Sequence, residues 1–455
     1  MGRDNRTQRG KLPRPEVRPD DANLTRFAGM IPLIVFMTEV LRLPSALAAI
    51  VEPKGRRRTH AVHHVLFAFI VGALAGAERL AHLDWFDDDV VLLKYLRFAS
   101  WPVRQVFSAA LGGVSDSGVK ALEELVGAVA RRTIRNVGSF VLDFDNTAVV
   151  DHGTREGSKF GYCGKGRRRR RHYPIVASIA DSLAVIAAKY RDGSEMKDEE
   201  VIAFIDHAVG RLRTWFGVAA DTILRADGGF WSPKLTAALQ DRHLSFVMGM
   251  HLVPQLKLML MSATWEDLTD DEDIEFAVLR SEQLGVGKDQ RIVAVRRRVH
   301  DPKAPPTGKV IGWSPEWRYQ ALITNVDWAA NDVWRFYNQR GDSERVFRIG
   351  RQALAIGNLV GQSFRANEVA FLLRLIAYNA DIAFQQSCED AARTEQRAVL
   401  KHGLEWRQRR FYTSPGRLLR ESCRWILRTV TNACVVQLWD FYAGDFVVAH
   451  AEVAA

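Results

Sequence analysis

The sequence predicts a mixed α/β core that lies between a helical N-terminal region and a helical C-terminal region. Apolar residues recur at three- and four-residue spacing up to about residue 135, which is the period of amphipathic helices. Short alternating segments rich in valine, phenylalanine and leucine follow, and this pattern is typical of strands. Helical spacing returns near residue 331 and dominates to the end of the chain. The order in the middle is three strands, a helix, a strand, a helix and a strand, which indicates a mixed α/β domain.

Segment boundaries follow these changes of pattern. Residues 1–23 are predicted to be a flexible basic arm, and residues 24–135 a helical N-terminal domain. Residues 136–251 hold the first part of the core. Its strands are predicted at Val137–Asp145, Tyr173–Ala180, Leu183–Tyr190, Thr222–Asp227 and Leu244–Met250. Its helices are predicted at Met196–Phe216 and from Ser232 onward.

The second half of the chain begins with a β-rich insertion at residues 252–330. Its strands are predicted at Gln290–His300, Lys309–Trp313 and Arg318–Val326, with Pro/Gly turns between them. Residues 331–385 form the rest of the core and start with one long helix, Asn331–Gln352. Residues 386–455 are predicted to be a helical C-terminal region.

The composition is that of a globular protein with a basic excess. The 455 residues are 47% hydrophobic and 25% charged, which excludes a mainly disordered chain. None of the four cysteines forms a Cys-x-x-Cys pair, so a disulfide scaffold and a zinc finger are excluded and a reducing cytoplasm is expected. The net charge of +10 points to a polyanionic partner. The apolar run Val65–Ala77 is too short to span a bilayer, so no membrane association is expected.

Two aspartates stand at the ends of predicted strands. Asp145 occurs in the pattern Asp-x-Thr, and Asp227 in Arg-Ala-Asp-Gly-Gly-Phe, where the glycines leave its carboxylate open to solvent. An isolated aspartate at such a position is commonly a turn or helix cap. Two of them on neighbouring strands are a better candidate for a metal site, because Mg²⁺ takes carboxylate oxygens.

A third acidic residue, Glu344, lies on the predicted helix Asn331–Gln352. Tyr337, Arg340 and Arg351 fall on the same face of that helix, within roughly 40° of Glu344 on a helical wheel. A solvated, salt-bridged face is the alternative interpretation. Together with the two strand-end aspartates, the pattern favours an acid that holds a metal and arginines that hold phosphates.

A dense basic run lies between early strands of the core and is predicted to be a loop. Neutralisation of DNA phosphates would compensate its charge, although a flexible charged loop is the alternative. The residues assigned to DNA binding in this run are Lys165, Arg167, Arg168, Arg169, Arg170 and Arg171.

Four segments resemble DDE transposases of bacterial insertion sequences, and more narrowly insertion-sequence group 1380 within the group-4 superfamily. They are Leu142–Thr147 (LDFDNT), His152–Tyr162 (HGTREGSKFGY), Arg225–Phe230 (RADGGF) and Tyr337–Arg351. The superfamily pattern for the last segment is Tyr-x2-Arg-x3-Glu-x6-Lys, which Tyr337, Arg340 and Glu344 match, while Arg351 stands where lysine is usual. That change keeps the charge but alters its geometry. The resemblance covers about residues 136–385 and implies a ribonuclease-H-like core with a β insertion.

The resemblance also implies a mechanism. Asp145, Asp227 and Glu344 would bind two Mg²⁺ ions, with Mn²⁺ as a substitute. One ion would activate a water or a DNA 3′-hydroxyl, and the other would stabilise the leaving oxygen. Tyr337, Arg340 and Arg351 would orient the DNA backbone.

The implied function is Mg²⁺-dependent cleavage and strand transfer at the ends of an insertion sequence, as in cut-and-paste transposition. The implied partners are double-stranded DNA, both the terminal inverted repeats and the target, and a second copy of the chain in the synaptic complex. The helical N-terminal domain would bind DNA. The expected location is the bacterial cytoplasm, in association with the nucleoid.

Two alternatives start from the same residues. Asp143-Phe144-Asp145-Asn146-Thr147 also fits the first motif of haloacid-dehalogenase-like phosphatases, in which Asp143 would be the nucleophile. In the transposase interpretation Asp143 competes with Asp145 for the role of metal ligand, because alternation places both on one face of the strand. If Asp145 is the ligand, Asp143 would support it without binding the metal. The other alternative is a transposase relic that binds DNA ends but cannot cut them.

Overall fold

The computed structural model describes most of the chain. The described residues are 21–51, 59–135, 138–164, 166–217, 221–268, 271–280, 282–299, 309–311, 314–422, 424–430 and 433–443. Only the backbone is described at residues 283, 309–311, 314–315, 342–344 and 433–434. The predicted basic arm lies outside the described residues except for Asp21, Ala22 and Asn23, and Lys165 lies outside them as well.

The N-terminal region is helical, as predicted. A two-residue strand β1 (Leu24–Thr25) precedes the helices α1 (Met30–Val35), α2 (Leu43–Ile50), α3 (Val62–Leu74), α4 (Val90–Leu96), α5 (Arg104–Gly112) and α6 (Asp116–Arg131). Side chains cap two of them, because Asp89 accepts from the N–H of Leu92 and Ser115 from that of Gly118. Helix α3 is apolar on nearly all sides and is buried from Val65 to Leu74.

The central sheet contains parallel and antiparallel strands, as predicted for a mixed α/β core. The elements of this part are β2 (Ser139–Asn146), β3 (Val149–Val150), β4 (Lys159–Tyr162), β5 (Arg168–His172), β6 (Ile175–Ile179), β7 (Val185–Lys189), α7 (Asp198–Phe216), β8 (Asp221–Ala226), α8 (Pro233–Asp241) and β9 (Ser245–Met250). The order across the sheet is β7-β6-β2-β8-β9, with β7, β6 and β2 antiparallel and β2, β8 and β9 parallel. Each predicted strand and helix of residues 136–251 is present within two residues of its predicted bounds. Strands β3, β4 and β5 form a separate three-stranded sheet that the sequence did not predict.

The β-rich insertion extends the same sheet. After helix α9 (Pro254–Met261) come β10 (Ile274–Leu279), β11 (Arg291–Arg298), β12 (Lys309–Ile311) and β13 (Ser314–Thr324). Strand β13 pairs antiparallel with β9, and β11 and β10 follow outward. The insertion is therefore a continuation of the core sheet, with β10 and α9 as elements that the sequence analysis missed.

The prediction of one continuous helix at Asn331–Gln352 is wrong. The segment forms α10 (Ala330–Asn338), a 3-10 turn at Gln339–Asp342 and α11 (Ser343–Leu354). The break coincides with Gly341, Asp342 and Ser343, which are poor residues for a helix interior. Tyr337, Arg340 and Glu344 consequently do not lie on one unbroken helical face.

The C-terminal region is only partly helical, which corrects the prediction. Its elements are α12 (Phe364–Thr394), α13 (Leu404–Arg407), β14 (Gly416–Glu421), β15 (Arg424–Thr429) and α14 (Ala433–Tyr442). Strands β14 and β15 form a hairpin, and β14 also pairs with β1 near the N-terminus. Helix α12 belongs to one hydrophobic cluster with the N-terminal helices and the C-terminal elements. The two terminal regions therefore share a core, which lies beside the sheet.

Among the described residues no single helix is long and apolar enough to cross a membrane. Only the pair Met30–Val40 and Leu43–Ile50 reaches the length and composition of a span, and the two are bent by 57° to each other.

Candidate active site

Asp145 and Asp227 lie side by side at the ends of two neighbouring parallel strands. Strands β2 and β8 pair with Phe144 opposite Ala226, so the next residue on each strand is one of the two aspartates. Neighbouring strands lie roughly 4.8 Å apart. The Asp227 side chain is 43% exposed and that of Asp145 is 14% exposed. The structure thus brings together two of the three acids that the sequence singled out.

Arg340 links the two carboxylates. Its Nη2 lies 3.4 Å from Oδ1 of Asp145 and 3.9 Å from Oδ2 of Asp227. The guanidinium is largely buried, at 9% exposure, in the 3-10 turn between α10 and α11. A buried positive charge between two carboxylates attracts both and holds them at one place.

Glu344 is described only by its backbone. That backbone lies in the first turn of α11, directly after the turn that carries Arg340. Its side chain is outside what the structure describes, so the role of its carboxylate stays a prediction.

Asp143 forms a buried ion pair behind the aspartate pair. Arg225 donates from Nε to Oδ1 of Asp143 at 2.7 Å and from Nη2 to Oδ2 at 2.8 Å. Both side chains are at most 1% exposed. The remaining terminal nitrogen of Arg225 donates to the carbonyl of Phe336 on α10 at 2.8 Å. Asp143 therefore helps, through Arg225, to fix α10 against strands β2 and β8.

Arg225 is a residue that the sequence analysis overlooked. It belongs to the segment RADGGF, but only its aspartate was assigned a role. An arginine inside an otherwise apolar strand, beside a strand that carries Asp143, is the available signal. Buried charges occur in pairs, so each of these residues predicts the other.

Tyr337 packs over a glycine next to the carboxylate pair. A Cβ atom on Gly249 of β9 would lie 2.6 Å from the Tyr337 hydroxyl and 2.8 Å from the backbone nitrogen of Gly228. Gly228 directly follows Asp227, so the tyrosine hydroxyl lies close to the turn that carries this aspartate. Gly249 is thus the residue that permits Tyr337 to approach.

Arg351 reaches the segment that follows Asp145. Its guanidinium donates to the hydroxyl of Thr147, and the N–H of Thr147 in turn donates to the carbonyl of Pro174 at 3.2 Å. Tyr337, Arg340 and Arg351 therefore approach the aspartate pair from α10, the 3-10 turn and α11, respectively. The helix break distributes them over three elements and still brings them around one site.

The arginine run is a strand and not the predicted loop. Strand β5 forms a hairpin with β4, in which Arg168 lies opposite Tyr162 and Arg170 opposite Phe160. Arg167, Arg168 and Arg169 are exposed, and the guanidinium of Arg170 lies 5.4 Å from the centre of the Phe160 ring.

Arg171 differs from its neighbours because its side chain is fully buried. It pairs with Glu195 at 2.6 Å, donates to the carbonyl of Tyr162 and lies 3.6 Å from the centre of the Tyr173 ring. A side chain so enclosed stabilises the hairpin, so in this conformation the DNA contact predicted for Arg171 is not available to it.

Asp151 is a second residue that the sequence analysis overlooked. Burial raises the pKa of its carboxyl, but the N–H groups of Arg155 and Gly153 and the side chains of Ser158 and Arg155 outweigh this and lower the pKa to about 2. The Asp-x-Gly spacing in DHG is the turn signal that could have identified it.

Glu156 accepts a hydrogen bond from the N–H of Phe364 at 2.8 Å, at the start of α12. The segment that includes Asp151 and Glu156 therefore supports the core as a turn.

The pair Asp145 and Asp227 offers the donor type that a hard divalent cation requires. Mg²⁺ typically takes one or two carboxylates and completes its shell with water and phosphate oxygens. Within the described side chains, no group of three or more His, Cys, Asp and Glu residues could hold a metal. The described part of the site therefore fits a cation held by two carboxylates and by further ligands from outside this pair.

Comparison with known proteins identifies the family of the chain. The sequence model of the family described as "Transposase DDE domain group 1" matches residues 13–404. No curated protein matches significantly. The structure of piggyBac transposase in a synaptic complex with hairpin DNA is similar at 12% identity and a TM-score of 0.48, over 85% of this chain and 79% of that chain. The Drosophila P element transposase in its strand transfer complex is similar at 10% identity and a TM-score of 0.25, over 83% of this chain and 97% of that chain. Because the family model spans most of the sequence, the chain belongs to the DDE transposase family that this model describes.

Proposed function

We propose that this DDE transposase cuts DNA at the ends of a bacterial insertion sequence and joins those ends to target DNA. The observation that carries the proposal is the meeting of Asp145 and Asp227 at the ends of adjacent strands, with Arg340 at 3.4 and 3.9 Å from their oxygens. Two carboxylates beside an arginine can hold a divalent cation and a phosphate oxygen at one place.

Transposases of this class generally use divalent metal ions. We assign Asp145, Asp227 and Glu344 as the ligands of two Mg²⁺ ions, with Mn²⁺ as a substitute. When bound, such ions supply an activated oxygen nucleophile and neutralise charge on the leaving oxygen. The backbone of Glu344 follows the turn of Arg340 by a few residues, which supports its nearness to the aspartate pair.

The chain's own basic and polar groups orient the DNA. Arg340 contacts both carboxylates. If Asp145 and Asp227 held a cation, the guanidinium of Arg340 would be available to bind a phosphate. Arg351 is tied to Thr147 and extends the same basic surface past Asp145. Tyr337, next to the turn of Asp227, supplies a hydroxyl that can donate to a phosphate oxygen.

The β4–β5 hairpin is proposed as a further DNA contact. Arg167, Arg168 and Arg169 are exposed, and the segment from Lys159 to Arg171 contains no acidic residue. Neutralisation of phosphates by such arginines releases counterions and favours binding. The DNA partners are the terminal inverted repeats and the target, and two copies of the chain hold the paired ends.

The test is nicking of a duplex that carries the element's end. Asp145→Asn and Glu344→Gln should each abolish Mg²⁺-dependent nicking, because each removes a ligand charge. Both variants should bind the same duplex with wild-type affinity in EDTA. Unchanged nicking by Glu344→Gln would show that this residue is not a ligand. If the wild-type protein bound the duplex but did not nick it, the protein would be a relic that binds DNA ends without cutting them.

The phosphatase alternative requires Asp143 as a nucleophile. Asp143 is fully buried, and both of its oxygens accept from Arg225, so no substrate phosphorus can approach it in this conformation. Turnover of a small phosphomonoester that is lost in Asp143→Asn and retained in Glu344→Gln would support the phosphatase.

A further inference from the structure

A basic pocket of about 820 Å³ lies beside the aspartate pair, between the N-terminal helical region and the core. Its walls come from the segment before the 3-10 turn at Leu80–Phe86, from the start of α5, from the chain after β2 and from the loop after α11. The polar lining residues are Arg79, Arg104, His152, Arg155, Arg351 and Asn358. No acidic residue lines it, so its charge is strongly positive.

The pocket is linked to the aspartate pair by the chain that follows Asp145 and by Arg351. Ala148 and Val150, which line it, follow Asp145 by three and five residues. Arg351 lines it too and donates to Thr147, which lies between Asp145 and Ala148. A DNA strand held at the carboxylates could therefore reach the pocket along the chain from Asp145 to Val150.

Buried groups behind the pocket hold two of its walls in place. Arg374 on α12 is fully buried and donates to the carbonyl of Asn358 at 2.6 Å and to that of Glu78 at 3.1 Å. Glu78 directly precedes Arg79, so one guanidinium fixes a wall from each region of the molecule. The side-chain oxygen of Asn367 on α12 accepts a further hydrogen bond from the N–H of Val360 at 2.8 Å. The lining arginines take no part in the bonds that Arg374 and Asn367 make.

The charges of Arg79 and Arg104 are accessible to a ligand. Arg104 pairs with Asp84, but their side chains are 56% and 41% exposed, and such a surface pair contributes little. Arg79 is exposed at the rim. Arg155 is different, because its pair with the buried Asp151 organises the turn. The positive charges available to a ligand are thus those of Arg79 and Arg104, which belong to the helical N-terminal region.

We propose that this pocket binds phosphate groups of the DNA strand next to the cleavage site, with Arg79 and Arg104 as ligands supplied by the N-terminal region. A guanidinium group matches the geometry of phosphate oxygens and can bind a phosphate through two parallel hydrogen bonds. Volumes of this size accommodate a small ligand or a short stretch of a strand. The inference rests on the proposed function, and it adds that the catalytic core alone is an incomplete DNA site.

The experiment compares two double variants of the full chain. The pocket variant, Arg79→Gln/Arg104→Gln, removes the two pocket charges that are accessible to a ligand. The control variant, Arg131→Gln/Arg132→Gln, removes two exposed charges at the end of α6, outside the pocket. Binding of an end duplex is measured in EDTA over a range of salt concentrations. The pocket variant should bind about tenfold more weakly than the control. Its slope of log K against log salt should fall by about 0.9 for each lost contact.

A conservative variant and the wild type distinguish failure of the pocket inference from failure of the proposed function. Arg79→Lys/Arg104→Lys retains the charges and should keep the slope while losing part of the affinity, because lysine cannot bind in a fork. Equal affinity and slope for the pocket variant and the Arg131/Arg132 control would overturn the inference. A wild-type protein that neither binds nor nicks the end duplex would instead overturn the proposed function. Thermal unfolding of each variant shows that the fold is intact.

Discussion

Asp143 and Asp145 are two residues apart on one strand, and their surroundings give them opposite roles. Asp143 is enclosed and neutralised by Arg225, whereas Asp145 lies at the strand end and shares Arg340 with Asp227. Alternation along the strand shows only that both lie on the same face. The neighbouring strand decides which carboxylate remains available for chemistry.

Removal of the buried partner of Arg225 should be costly. Asp143→Asn leaves a guanidinium uncompensated in the interior, and unfolding in urea should show a loss of about 3–5 kcal/mol. The pair Arg242 and Asp206 has the same two-bond geometry, with distances of 2.7 and 3.1 Å, but it is exposed. Asp206→Asn should therefore cost less than about 1 kcal/mol. Equal losses in the two variants would contradict the structural role of Asp143.

Arg340 should compete with the cation for the two carboxylates. In the absence of DNA, Arg340→Gln removes a positive charge beside Asp145 and Asp227, so Mn²⁺ should bind about fivefold more tightly. The same variant should nick DNA poorly, because the phosphate contact is lost. Mn²⁺ affinity is measured by electron paramagnetic resonance, with Arg335→Gln on the exposed face of α10 as the control. Unchanged Mn²⁺ affinity would show that Arg340 does not shield the carboxylates.

At the scale of elements, the break between α10 and α11 creates the site. The periodicity of apolar residues continues through the break and therefore predicts one helix. Gly341, Asp342 and Ser343 stop it, and the resulting turn carries Arg340 to the carboxylates. The local propensity of three residues outweighs the longer pattern here. Helix α10 is then fixed from below by Arg225 and from the side by the packing of Tyr337 on β9.

Gly249 tests the contact between β9 and α10. In Gly249→Ala the new methyl group would lie 2.6 Å from the Tyr337 hydroxyl and 2.8 Å from the backbone nitrogen of Gly228, so Tyr337 or the turn after Asp227 must shift. The nicking rate should fall by about tenfold or more while DNA binding changes little, since a small displacement of catalytic groups is costly. Gly210→Ala on α7 is the control, because a Cβ there meets no atom within 4 Å. A normal nicking rate in Gly249→Ala would mean that the position of Tyr337 is unimportant.

The whole molecule is organised around α12. Both terminal regions pack on this helix, and Asn379 in its middle donates to the carbonyls of Val126 and Val185 at 2.9 and 2.8 Å. One side chain thus joins α12, α6 and the edge strand β7 of the sheet. These bonds tie the N-terminal region to the core sheet.

A glutamate between α12 and α6 should make stability depend on pH. Burial raises the pKa of Glu368 from 4.5 to about 7, which Arg365 opposes and Glu123 and Asp116 reinforce. The folded state therefore favours the protonated form. Stability should be complete below about pH 4.5 and should decline by up to about 3 kcal/mol as the pH rises through 7.

Urea unfolding at pH 5 and pH 8 measures this decline. Glu368→Gln should remove most of it and should be more stable than the wild type at pH 8, since burial of a neutral amide costs less than burial of a charged carboxylate. Glu395→Gln, at a side chain that is 59% exposed, is the control. The same difference between pH 5 and pH 8 in Glu368→Gln and in the wild type would rule out this carboxyl as the source.

The sequence by itself determined the central-sheet strands and the helices of residues 136–251, because alternation and strand-end residues are local signals. It also singled out Asp145, Asp227 and Arg340, whose side chains come together. Only the tertiary structure decided which charges are exposed. Arg168 and Arg171 belong to the same run, yet one faces solvent and the other is enclosed by Glu195 and Tyr173. Burial depends on residues far along the chain, so a local pattern of charges cannot reveal it.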